Sequence, residues 1–181
     1  MSLIYFTLWF CHRHAHSDHY TNLSSSWKSG PIYCSQGTAN LIIHMLKVDP
    51  QWVHPLPMDT PSIIPNTGGV SVTLIEANHC PGSCVFLFEG KQTVNAGDST
   101  FNSTYVGSSK VFRYLHCGDF RASPQHVLHP AVKGKRIDHV YLDTTYLDPK
   151  VMLRRLCQLL KLFSVHVPAA ASSNFCLRGP C

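Results

Sequence analysis

His14-Ala15-His16-Ser17-Asp18-His19 places four candidate metal ligands within six consecutive residues. In extended backbone, residues two apart project to the same side, so His14 and His16 can grip one ion together. A turn into a helix at Ser17 would swing Asp18 and His19 toward a second ion beside the first. The stretch just before it, residues 3–10, is apolar and aromatic apart from Thr7, as in a strand buried on both faces. It lacks the basic leader and small-residue cleavage site of a signal sequence. Ligand-type side chains are therefore expected where a buried strand ends.

The same arrangement recurs downstream. Val70, Val72 and Leu74 alternate with smaller or polar residues, and that strand runs out into Asn78-His79-Cys80-Pro81-Gly82. Residues 111–116 read as a strand ending in Cys117-Gly118-Asp119, and residues 137–142 as one ending at Asp143. No internal repeat accompanies the pattern, so these are different strands feeding one rim, an expectation for a layered α/β (α+β) fold. His79 would then complete a three-histidine set with His14 and His16, and Asp119 could bridge two ions with its two oxygens. Asp98, in Asn95-Ala96-Gly97-Asp98-Ser99, also follows a strand-like stretch and is the rival of Asp119 for that aspartate role. Imidazole outnumbers carboxylate, which favours zinc over magnesium, with manganese or iron open at the mixed nitrogen and oxygen position. Asp143 suits a supporting place, receiving the ring N–H of a ligand histidine; a turn carboxylate bonding Thr144-Thr145 is the alternative.

Between these points lie scaffold elements. Residues 31–34 read as a short strand, and Ser35 caps a helix with Ala39, Ile42, Ile43 and Leu46 on one side. Residues 48–69 read as loop or edge structure. Residues 84–88 and 92–95 flank Glu89-Gly90-Lys91 and suggest a hairpin, followed by a polar insertion over 98–109.

The whole chain has 181 residues, 44% hydrophobic and 14% charged, enough for one folded core rather than disorder. Its net charge of +5 favours an anionic partner without proving one, and its 12 histidines exceed normal usage. The 8 cysteines contain no CxxC pair and read as mostly reduced thiols. Cys80 and Cys117 lie beside candidate ligands and read either as zinc thiolates or as small buried hydrophobes. No stretch approaches the roughly 18 apolar residues a membrane helix needs, so a soluble chain with no membrane partner is expected.

His14 to Tyr20, Ala77-Asn78-His79-Cys80-Pro81-Gly82, His116-Cys117-Gly118-Asp119-Phe120-Arg121 and Tyr141-Leu142-Asp143-Thr144-Thr145-Tyr146 resemble, in order, motifs of the β-CASP metallo-β-lactamases. They are most similar to the DNA cross-link repair exonuclease group that includes Artemis and Apollo. The likeness covers about residues 13–150, with Pro31 to Cys34 and Val53 to Pro57 among the matching segments. It implies a partial αββα sandwich over 1–150, two zinc ions in the intact family site, and 5′-to-3′ hydrolysis of DNA in the nucleus. Asp18 and Asp119 would be catalytic metal ligands alongside His14, His16, His19 and His79, with Asp143 behind them. Arg121, Lys133, Lys135 and Arg136 are candidate DNA backbone contacts, the run 133–136 having a solvated turn as its plainer reading.

Against the family pattern, the chain is expected to be truncated at both ends. The opening strands with an early aspartate motif are missing, as are the later histidine of the second metal site and the phosphate pocket. The second zinc site would be incomplete and nuclease activity impaired. Residues 151–181 would be a non-family tail, partly helical or loose, arising from the gene model. The alternatives are a metallo-hydrolase acting on RNA and a non-catalytic metal- or DNA-binding remnant.

Overall fold

The computed structural model describes residues 23–91 and 111–142. The expected strand at 3–10, the segment bearing His14, His16, Asp18 and His19, the insertion with Asp98, Asp143, and the tail from 151 all lie outside those residues.

Among the described residues the chain runs β1 (Ile32–Ser35), α1 (Gln36–Leu46), a 3-10 turn (Pro50–Trp52), β2 (Val53–Leu56), β3 (Ser62–Ile63), β4 (Ser71–Glu76), β5 (Cys84–Lys91), β6 (Val111–Gly118), α2 (Pro124–Leu128) and β7 (His139–Leu142). Both helices and sheets are present, so the fold is α+β. β1 and β2 pair in parallel, and the other strands form one sheet in the order β3-β4-β5-β6-β7. That sheet is antiparallel except for β6 and β7, which run parallel.

Alternation along each strand sorts the side chains into layers. In β1, Ile32 and Cys34 face one way and join Ala39 and Ile42 of α1, while Tyr33 faces the large sheet. Ser35 caps α1, its Oγ accepting from Thr38 N at 3.2 Å. Ile43 and Leu46 pack at the margin of the same cluster, so the expected apolar side of the helix is the one that is buried.

Central strand β5 is buried on both faces. Cys84, Phe86 and Phe88 meet Tyr33, Val72 and Leu74, whereas Val85 and Leu87 meet Ile75, Leu115, Val132 and Ile137. Val127 of α2 closes that second face. The layer order is therefore helix, small sheet, large sheet, helix, consistent with a partial metallo-β-lactamase sandwich.

Two expectations need correcting. Glu89-Gly90-Lys91 is no turn: β5 runs straight through it, with Glu89, Gly90 and Lys91 opposite Arg113, Phe112 and Val111 of β6. A Cβ at Gly90 would lie 2.7 Å from the Phe112 ring, so the glycine makes room for a cross-strand aromatic. The last strand starts at His139 rather than at 137, because Ile137 turns into the apolar cluster and Asp138 binds Arg113 N at 2.9 Å.

Thr73 Oγ1 is buried without a hydrogen-bond partner among the described residues. Its hydroxyl loses water without compensation, and valine has nearly the same shape with strong strand preference. Thr73→Val is expected to raise unfolding stability by about 1 kcal/mol, read as a higher urea midpoint at unchanged slope.

Candidate metal centre

Sheet topology decides which strand ends meet. Glu76, closing β4, pairs with Cys84, opening β5, and β6 runs antiparallel to β5. The exits of β4 and β6 thus share one end of the sheet, and the exit of β7 joins them because Gly118 pairs with Leu142. His79 follows the first exit and Asp119 the second.

At the exits of β4 and β6 a left-handed residue re-aims the chain immediately before the ligand-type side chain. Asn78 has φ 52, tolerable because a short polar side chain can bond locally in that region, and Gly118 has φ 57, where no Cβ interferes. The β6–β7 register also shifts between His116 and Gly118, an irregularity of the kind that redirects a side chain at a sheet's rim.

Next comes a tight turn. Ser83 N donates to Cys80 O at 3.0 Å, and Pro81 followed by Gly82 at φ 83 meets the torsional demand of a type II turn. Ser83 Oγ donates to Cys80 O at 2.7 Å and accepts from Cys80 N at 3.1 Å. Gly82 O then accepts from Ser35 Oγ at 2.6 Å and Thr38 Oγ1 at 3.0 Å, fastening the turn to the start of α1.

The result is a meeting of His79 Nε2 and Asp119 Oδ2 at 3.8 Å, with the side chains 24% and 21% exposed and the nitrogen itself shielded from solvent. That separation exceeds a hydrogen bond. Two ligands each about 2.1 Å from one tetrahedral zinc stand roughly 3.4 Å apart, so an imidazole and a carboxylate at this spacing fit a shared ion. Among the described residues no group of three or more His, Cys, Asp or Glu forms a metal cluster. These two are the members of the expected set that the structure brings together, and the remaining expected ligands lie outside the described residues.

Nearby thiols are held in reserve chemically. Burial pushes Cys84 up to about 12, with a hydrogen bond from Ser35 partly opposing, and burial likewise pushes Cys34 up to about 12. At neutral pH both are thiols. Cys117 lies in the apolar cluster under the sheet, whereas Cys80 is half-buried.

The basic candidates divide by location. Arg121 is exposed two residues beyond Asp119, and Lys133 is exposed in the turn after α2. Lys135 Nζ stands 3.7 Å from Glu89 Oε1, which also binds Arg113 Nε at 2.7 Å, and Arg136 Nε stands 3.2 Å from Asp138 Oδ1. Glu89 is five residues along β5 from Cys84, about 16 Å away, so Lys135 lies toward the opposite end of the sheet from His79.

His126 was not anticipated. It is buried, its Nε2 lies 2.8 Å from Glu76 O, and its ring meets Phe120 edge-on at 5.6 Å. The available signal was Ser123-Pro124, a cap followed by a first-turn proline.

No family model matches the chain. Among curated proteins, it is 48% identical to DNA cross-link repair protein pso2/snm1 of Schizosaccharomyces pombe over 137 residues, 76% of this chain and 21% of that protein. It is 43% identical to 5′ exonuclease Apollo of Gallus gallus over 136 residues, 75% of this chain and 25% of that protein. Against DNA cross-link repair 1A protein of Homo sapiens the figure is 39% over 137 residues, 76% of this chain and 11% of that protein. The chain thus spans a quarter or less of the length of these relatives. Over about three quarters of its own length it is homologous to the DNA cross-link repair proteins of the SNM1, Artemis and Apollo group.

Proposed function

We propose that this chain carries part of the active site of a metal-dependent phosphodiesterase of DNA cross-link repair, of the 5′-to-3′ exonuclease type, acting on DNA in the nucleus. The observation that carries the reading is the 3.8 Å approach of His79 to Asp119 at one end of the sheet. The names of the relatives, cross-link repair proteins and a 5′ exonuclease, supply the substrate class.

In this reading His79 would hold the first ion with His14 and His16, and Asp18 and His19 would hold the second. Asp119 would offer one oxygen to each. Bound zinc supplies Lewis acidity at the phosphoryl group and a water activated near neutral pH. The chain's own part is to fix the donors. Asp143 would receive a ring N–H and set a ligand tautomer, and Arg121, next to the centre, would hold a phosphate of the strand. Lys133, Lys135 and Arg136 would add backbone attraction, with Lys135 and Arg136 sharing their charge with Glu89 and Asp138.

The test is the purified chain loaded with zinc and offered 5′-phosphorylated single-stranded DNA or RNA of the same sequence. Weak zinc-dependent shortening of the DNA from its 5′ end, abolished in His79→Ala, is expected. Cleavage of RNA with DNA spared would overturn the DNA reading. Two bound zincs support an enzyme, whereas a single bound zinc without cleavage of either substrate would favour the binding remnant.

A further inference from the structure

β4 and β6 are not neighbours. β5 lies between them, so their backbones are about 10 Å apart within the sheet. His79 and Asp119 nonetheless approach to 3.8 Å, which requires the segments beyond both strands to be drawn together across the start of β5. Hydrogen bonds to two backbone carbonyls help to link those segments. Arg121 N donates to Ala77 O at 2.9 Å, two residues from each site side chain. The second is His126, whose Nε2 lies 2.8 Å from Glu76 O.

The hydrogen bonds of His126 fix its orientation. Ser123 N donates to Nδ1 at 3.1 Å, which makes Nδ1 an acceptor and leaves the proton on Nε2 to be donated to Glu76 O. The ring is 7% exposed and packs edge-on to Phe120, the residue after Asp119. One side chain therefore grips the Asp119 segment through Phe120 and Ser123 and the His79 strand through Glu76.

We infer that His126 is a positioning residue for the His79–Asp119 pair, setting the spacing at which the two side chains can share a metal ion. This rests on the metal-centre reading above. Outer partners that orient ligands alter metal affinity by about 10- to 100-fold when removed.

The test is zinc affinity, measured by competition with a chromophoric chelator, on the full chain and four variants, with melting temperatures recorded in parallel. His126→Leu keeps the apolar packing but removes the donor, and is expected to weaken zinc binding by about 10-fold or more. His126→Gln places an N–H where Nε2 stood and is expected to restore affinity close to that of the unaltered chain. His126→Asn is too short to reach Glu76 and should behave like His126→Leu, carrying the test if the leucine variant does not fold. In the cobalt-loaded chain, the visible spectrum should shift in His126→Asn and return in His126→Gln, a signature that lost stability alone does not produce.

Asp119→Ala separates the two readings. If it loses zinc while every His126 variant keeps full affinity, the positioning role is overturned and the metal centre stands. If Asp119→Ala binds zinc undiminished, the centre itself is overturned, and the role of His126 with it.

Discussion

Asp119→Ala is expected to lower zinc affinity by more than the roughly 100-fold that removal of an outer partner can cause, because in the proposed centre it deletes a ligand itself. His79→Ala should lose a comparable amount, since the two groups stand 3.8 Å apart with the imidazole nitrogen shielded from solvent. Isothermal titration with zinc checks both, and phosphodiesterase activity should disappear in parallel. Asp59→Asn provides the contrast. That carboxylate pairs with His129 at 3.0 Å and is 63% exposed, so its loss should leave zinc affinity unchanged. Undiminished binding in Asp119→Ala, or in His79→Ala, would remove the basis of the metal centre.

The largest stability effect expected is that of Gly82→Ala. At φ 83 an alanine costs about 1–2 kcal/mol in torsion alone. The new Cβ would also stand 2.9 Å from Thr38 N and 3.1 Å from Thr38 Oγ1, so the turn must back away from α1 and give up bonds from Ser35 and Thr38. Overpacking of this kind adds about 1–3 kcal/mol, for a total of about 2–5 kcal/mol. In a chain of this size that corresponds to a fall in Tm of about 4–20 °C. Gly134→Ala isolates the torsional part, because Gly134 has φ 72 but nothing within 4 Å of its added Cβ. Calorimetry should show the larger fall at position 82; equal falls would mean that docking against α1 contributes nothing.

The parts of this fold that could be read from the sequence are those where a local pattern has one structural meaning. Ala39, Ile42, Ile43 and Leu46 repeat at helical spacing and bury one side of α1. Val72 and Leu74 alternate, and their strand ends just before His79. β5 defeated the same approach because both its faces are buried, so Cys84 to Phe88 carries no period and the polar Glu89-Gly90-Lys91 reads as a stop. What keeps those residues in the strand is remote: Phe112 lies over Gly90, and Arg113 and Lys135 neutralise Glu89. The parallel pairing of Ile32–Ser35 with Val53–Leu56 has no local signal either, since a helix and a 3-10 turn separate the partners.

The site was legible to the extent that its residues are chemically distinctive. A histidine and an aspartate at strand exits can be picked out by type, and the sheet brings His79 and Asp119 to one rim. His126 escaped because its function lies in what it touches. A buried histidine between Gln125 and Val127 has no pattern that distinguishes a clamp from a filler, and its partner Glu76 is 50 residues away.

Asn78 and Gly118 give the rim an unusual genetics. Because each sets the heading of the residue after it, an exchange such as Asn78→Val or Gly118→Ala would swing an intact ligand out of line. Inherited or laboratory variants at these two codons would then mimic loss of His79 or Asp119, although both residues are still encoded.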